Sequence, residues 1–253
     1  MKVGLFIPCY INAVYPEVGI ACYKLLKSLD VDVDYPLGQT CCGQPMANAG
    51  FEHQSLTLAE RFDQLFSEYS HVVGPSASCV AFVRKNYPAL FQGKENSEDE
   101  ESHTCTVSNK VYDITEFLYD IVQPTSFASH FPHVVSIHNS CHGVRELGLS
   151  SPSELTVPYY SKVRALLEKV SGITVCEPQR VDECCGFGGM FCVEEPEVSA
   201  CMGRDKVKDH MSTGAEFITG TDNSCLMHMQ GIIARENYPI RTIHVLEILT
   251  AQL

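Results

Sequence analysis

The sequence predicts an α/β fold built as an internal duplication, with a mostly parallel sheet in each half. Two observations predict it. Short apolar runs alternate with longer stretches of helical spacing, and the same order of runs, loops and cysteines occurs twice in 253 residues. Strand, helix and strand in succession imply right-handed βαβ units. Each half is therefore expected to be Rossmann-like, with half-units at 1–124 and 133–253.

Residues 3–8 are continuously apolar, the pattern of a strand buried on both faces. Val18, Cys22, Leu25, Leu26 and Leu29 then recur at helical spacing over 17–29, and 31–35 predicts a second strand. The turn-rich Gly38-Gln39-Thr40-Cys41-Cys42-Gly43-Gln44-Pro45 follows. Leu56, Ala59, Phe62, Leu65, Phe66 and Tyr69 mark another helix, and 71–74 a third strand. Pro75-Ser76-Ala77-Ser78-Cys79 leads into a short helix.

In the second half, 134–138 is a strand running into Asn139-Ser140-Cys141. Val163, Leu166, Leu167 and Val170 place a helix over 159–170, and 173–176 is a strand. Cys184-Cys185-Gly186 sits in a Gly-rich loop, and a helix over 196–211 leads to a strand at 216–219 and to Asp222-Asn223-Ser224-Cys225. The halves also end alike, 110–118 against 241–249. They differ by an acidic insertion at about 93–108, whose run from Lys94 to Glu101 predicts a solvated loop.

The chain carries 13 cysteines and a formal charge of −13. That charge excludes a nucleic-acid partner, which needs a basic face, and calls for a basic face on any docking partner. The first apolar run stops at Pro8, too short for a secretory leader, and no stretch approaches a transmembrane span. A cytoplasmic protein with no integral membrane segment is expected. In a reducing compartment its thiols point to metal ligation or redox chemistry before disulfides.

In parallel sheets the ligand crevice lies beyond the carboxyl ends of the strands. Cys9, Cys41, Cys42 and Cys79 all follow predicted strands, as do Cys141, Cys184, Cys185 and Cys225. Four thiolates from three loops can close around tetrahedral zinc or a [4Fe–4S] cluster. Neighbouring cysteines diverge, which strains a single-ion site but suits separate corners of a cluster. Gly43 and Gly186, each directly after the pair, let the backbone approach and offer N–H groups. One or two [4Fe–4S] clusters per chain are expected, with zinc an alternative at the first site.

Cys41-Cys42-Gly43-Gln44-Pro45, Asn139-Ser140-Cys141-His142, Cys184-Cys185-Gly186-Phe187-Gly188-Gly189 and Ser224-Cys225-Leu226-Met227 resemble the motifs of the cysteine-rich CCG-domain family. Within it the chain looks like the lactate-utilisation protein A group. More distantly it is similar to the CCG-bearing subunit of heterodisulfide reductase and the glycolate oxidase iron–sulfur subunit. The resemblance covers nearly the whole chain outside the insertion. It implies cluster binding at the CCG motifs and a non-catalytic electron-transfer role in a soluble (S)-lactate (L-lactate) oxidation system. The implied partners are a larger iron–sulfur subunit and a third subunit. In that heterodisulfide reductase subunit each motif ends in Cys-x-x-Cys. Here Phe82 and His228 stand at those positions, which argues against disulfide cleavage.

The rival readings are a thiol–disulfide reductase subunit and a zinc-braced binding module. His228 is a candidate extra cofactor contact, although a plain helix histidine accounts for it as well. His138 and His142 flank Cys141 and stand where they can hydrogen-bond a cluster sulfide or a partner's cofactor. Cys22, Cys105, Cys176, Cys192 and Cys201 fall outside the two sets and read as packed or spare thiols. No phosphate loop, dinucleotide fingerprint or nucleophile elbow is present in the sequence.

Overall fold

The structure is a computed structural model, and it describes residues 2–92 and 105–252. The run from Lys94 to Glu101, expected as a solvated loop, lies outside the described residues, as does the acidic insertion of about 93–108 up to residue 104.

The first sheet uses β1 (Lys2–Leu5), β2 (Asp32–Asp34), β3 (His71–Gly74) and β4 (Val111–Asp113) in the order β2-β1-β3-β4. The second uses β5 (Val134–Ile137), β6 (Thr174–Cys176), β7 (Phe217–Gly220) and β8 (Arg241–His244) in the matching order β6-β5-β7-β8. Every strand pair is parallel. The two orders are one topology used twice.

Helices join the strands or follow them at once. In the first half they are α1 (Cys9–Val14), α2 (Pro16–Ser28), α3 (Gln44–Asn48), α4 (Glu52–Phe66), α5 (Ala77–Gln92) and α6 (Ile114–Phe117). In the second half α7 (Cys141–Arg145), α8 (Lys162–Leu167), α9 (Phe191–Glu194), α10 (Pro196–Met211) and α11 (Asn223–Glu236) precede the terminal α12 (Val245–Leu249).

Strand alternation sorts the core into layers. Val3 and Leu5 of β1 and Val135 and Ile137 of β5 face one apolar cluster, which the helices α2, α6, α8 and α12 of both halves share. Gly4 and Phe6 point the other way, toward α4 and α5. Ser136 and His138 point toward α10, where Ser136 Oγ meets His210. The shared layer fuses the halves, and the outer layer of the first half also takes in Leu147 and Leu149 from the second.

Several elements depart from expectation. The helix over 159–170 is confined to α8, because Ser161 caps it by accepting the Arg164 N–H at 3.2 Å. The short helix after Cys79 runs instead to Gln92, as Val83, Tyr87 and Phe91 keep the apolar stripe going past Pro88. α3 occupies the expected turn region, started by Gly43 at φ +93° with proline close behind. α1 begins at Cys9 itself, where a loop was expected.

Candidate metal centre

The same local devices place the cysteines in both halves. Cys9 and Cys141 open α1 and α7, Cys79 and Cys225 lie in the first turns of α5 and α11, and the adjacent pairs occupy the loops after β2 and β6. All eight stand at the carboxyl edge of their sheet. Burial follows one pattern twice: Cys42, Cys79, Cys185 and Cys225 are buried, while Cys41 and Cys184 are half-buried. Cys9 reaches the surface and Cys141 is half-buried.

Within each set the thiols contact one another in a chain, Cys9 to Cys41 to Cys42 to Cys79 and Cys141 to Cys184 to Cys185 to Cys225. The Cys41 sulfur takes hydrogen bonds from the thiols of Cys42 and Cys9 and from the Gly43 N–H at 3.4 Å, which hold its pKa down to about 3. Contacts to Cys41 and Cys79, together with burial, push Cys42 far up. In the second half the Cys184 sulfur takes the thiols of Cys141 and Cys185 and the Gly186 N–H at 3.3 Å, lowering its pKa to about 2. Cys185 is driven up by Cys184, Cys225 and burial. The pKa of one sulfur in each set is thus drawn down by the N–H and S–H groups around it, and a metal would displace the neighbouring protons.

The glycines after the pairs are required by geometry. Gly43 and Gly186 have φ of +93° and +88°, a region that β-carbon sterics disfavour. Ser55 Oγ donates to the Gly43 carbonyl at 3.0 Å, and Ser199 Oγ to the Gly186 carbonyl at 2.7 Å. The helices α4 and α10 therefore clamp both loops in the same way, and neither serine carries a motif that betrays this in sequence.

His228 lies one turn beyond Cys225, with its Nε2 3.3 Å from the Ser199 carbonyl and its ring beside Phe187. The imidazole that joins the buried sulfurs of the second set belongs to His138. One of its ring nitrogens and the sulfurs of Cys185 and Cys225 all lie within 4.8 Å of one another. Burial lowers the His138 pKa to about 3, so the ring is neutral. The mixed nitrogen–sulfur grouping stands in the second half, whereas zinc was an expectation for the first. His142 contacts the Cys141 sulfur at 3.7 Å and Gln44 Nε2 at 3.3 Å, the latter across the two halves.

The remaining thiols lie elsewhere. Cys22 is fully buried in the shared layer, Cys105 faces Asp63, and Cys176 meets the Val135 carbonyl and Thr213. Cys192 bonds the Gly189 carbonyl at 3.0 Å and Cys201 is exposed. All thirteen are free of disulfides. Eight soft sulfur donors in two converging sets, with N–H groups aimed at them, suit a metal or iron–sulfur group.

The profile of the cysteine-rich domain (CCG) matches residues 3–84 and again 135–230. The chain belongs to the CCG cysteine-rich-domain family. Among its relatives, Lactate utilization protein A 1 of Bacillus mycoides (strain KBAB4) is 36% identical over 249 residues, 98% of this chain and 96% of that protein. Lactate utilization protein A of an Exiguobacterium species is 37% identical over 254 residues, with the same coverage. A crystal structure of a hypothetical protein from Helicobacter pylori superposes with a TM-score of 0.61 at 8% identity, covering 98% of this chain and 48% of that one. That likeness is one of fold alone. Among the described residues, no helix of this family member is long and apolar enough to cross a membrane.

Proposed function

We propose that the chain is an iron–sulfur electron-transfer subunit acting in the oxidation of L-lactate. The observation that carries the reading is the repetition of one four-thiol set at the same edge of two identically ordered sheets. Cys141, Cys184, Cys185 and Cys225 would hold one [4Fe–4S] cluster, and Cys9, Cys41, Cys42 and Cys79 a second. Such clusters accept and release single electrons.

The chain's own residues supply the rest. Gly43 and Gly186 bring N–H groups to sulfur, Ser55 and Ser199 hold the loops, and buried Cys42, Cys79, Cys185 and Cys225 keep water from one side of each set. Surface-facing Cys9 gives a partner a short approach to the first centre. The relatives named for lactate utilization support the substrate, and a larger iron–sulfur subunit and a third subunit are the partners this reading requires. Thirteen free thiols support a reducing, cytoplasmic setting.

The test is anaerobic purification with iron and sulfide analysis and EPR of the dithionite-reduced chain. Roughly eight irons are expected for two cubane clusters, falling by about half in Cys42→Ser and in Cys185→Ser. A colourless chain holding one or two zinc ions overturns the proposal. It would favour the zinc-braced module, a reading to which the His138, Cys185 and Cys225 grouping lends its one specific support.

A further inference from the structure

The two centres rest on different floors. Phe6 and His138 occupy equivalent places, each three residues before the first cysteine of its set. Each backbone N–H is pinned to the neighbouring strand, Phe6 to the Val73 carbonyl at 2.9 Å and His138 to the Thr219 carbonyl at 2.7 Å. Phe6 packs edge-on against Phe62 and Phe66 of α4, with ring centroids 4.9 and 6.2 Å away. Counted from the clamping serines Ser55 and Ser199, the α10 residues matching Phe62 and Phe66 are Lys206 and His210. An aromatic floor in the first half is thus a polar one in the second.

That polar floor is buried and mostly accounted for. Lys206 is fully buried, donates from Nζ to the Arg180 carbonyl, and lies 3.9 Å from Asp209. His210 Nδ1 meets Ser136 Oγ at 2.8 Å, and its ring lies edge-on to His138 at 5.9 Å. His210 Nε2 is left without a partner among the described residues, and His138 goes further. It is 2% exposed, and both of its ring nitrogens lack a partner among the described residues. A neutral imidazole carries one N–H donor and one lone pair, and a buried polar group left unmet costs about 1–3 kcal/mol. An approach by Gly220, whose added Cβ would stand 2.9 Å from the His138 carbonyl, helps to fix this residue beneath the sulfurs.

We propose that His138 is a hydrogen-bond donor to the second centre that tunes its potential, its ring N–H donating to sulfur of the group that Cys141, Cys184, Cys185 and Cys225 would hold. This rests on the iron–sulfur reading above and makes the two centres chemically unequal. A donor to sulfur favours the reduced, more negative state and raises the potential. The first centre has the phenyl ring of Phe6 in the same place and gains nothing comparable. The second centre is therefore the more easily reduced of the two.

The test is an EPR-monitored redox titration of the full, iron-loaded chain. Two transitions are expected in the wild type. His138→Phe, which copies the first floor, moves the upper transition to lower potential and leaves the lower transition and the iron content unchanged. His138→Gln, which restores an N–H, recovers part of the shift. Where the phenyl ring cannot be housed, His138→Asn draws the amide back from the sulfurs and carries the same expectation as His138→Phe. Two unmoved transitions with full iron content overturn the assignment. Loss of about half the iron in every variant makes His138 a metal ligand instead and also overturns it. A wild-type chain that takes up no iron overturns the iron–sulfur reading itself, and is told apart by needing no variant.

Discussion

Asp222 accepts the backbone N–H of Ser78 through Oδ2 at 2.8 Å, joining the residue before Cys79 to the opposite half-unit. Its Oδ1 takes the Ser224 hydroxyl at 2.6 Å and the Ser224 N–H at 3.2 Å, which caps the helix that carries Cys225. The Tyr10 hydroxyl, next to Cys9, reaches the same oxygen at 3.4 Å. One buried carboxylate therefore ties together the segments that carry Cys9, Cys79 and Cys225, cysteines of both sets.

Removing that carboxylate should be felt on both sides. Asp222→Ala strands a buried N–H and uncaps α11, and we expect a loss of about 3 kcal/mol. Asp222→Asn keeps a cap oxygen and should lose about half as much. Urea midpoints measure the stability, and iron analysis of the loaded chain should show both centres weakened together. Loss of iron from the second centre alone would show that the tie does not carry across the halves.

The two loop glycines should differ in tolerance. An added Cβ at Gly186 would lie 2.7 Å from both the Ser199 carbonyl oxygen and Met202 Cβ. At Gly43 the nearest atom is Ser55 Cβ at 3.0 Å, with Ser55 Oγ at 3.1 Å. Both substitutions carry the left-handed penalty of about 1–2 kcal/mol, but only Gly186→Ala collides with backbone. Gly186→Ala should destabilise by about 3 kcal/mol or more, and Gly43→Ala by about 1–2 kcal/mol. Equal urea midpoints for the two variants would contradict this.

The repeated cysteine order was readable in sequence because the cysteines of each set follow apolar runs, and such runs become strands in parallel sheets. The duplicated topology was readable for the same reason. What escaped depends on contacts far apart in the chain. Asp222 and Ser78 are 144 residues apart, and no local pattern announces their bond. His138 is legible in part, since it and His142 both flank Cys141 as candidate donors to a cluster sulfide, but no local pattern chooses between them. The importance of His138 comes from strand alternation, which turns Ser136 and His138 to the face opposite Val135 and Ile137. α1 and α3 escaped because a helix of five or six residues carries too little periodicity to be recognised.

Thiol labelling should separate ligands from bystanders. In the metal-loaded chain a small alkylating reagent should mark exposed Cys201 and leave exposed Cys9 unmodified, since its sulfur would be held. Removing the metal should open Cys9 and then half-buried Cys41, Cys141 and Cys184 to reagent, a gain of up to four labels by mass spectrometry. Cys22, fully buried in the shared layer, should stay unlabelled until the chain unfolds. Rapid labelling of Cys9 in the loaded chain would remove it from the ligand set.

Asp113 and His244 cap the equivalent helices α6 and α12, the first by accepting the Thr115 N–H at 2.8 Å and the second by accepting the Leu246 N–H at 3.2 Å. Burial drives them in opposite directions, raising Asp113 to about 7 and lowering His244 to about 4. Between its unfolded value near 3.9 and about 7, Asp113 holds more proton in the folded chain than in the unfolded one, so its contribution to stability falls as pH rises. His244 holds less proton when folded between about 4 and its unfolded value near 6.5, so its contribution is lost as pH falls. Each window spans roughly 3–4 kcal/mol if fully expressed, and in the wild type the two oppose each other below about pH 6.5. Asparagine keeps either cap without the titration. Asp113→Asn should therefore leave a stability that climbs with pH from 4 to 6.5, and His244→Asn one that declines from 4 to 7. Urea midpoints collected across that range should show curves of opposite slope, and parallel curves would rule out the pair as opposing titrating caps.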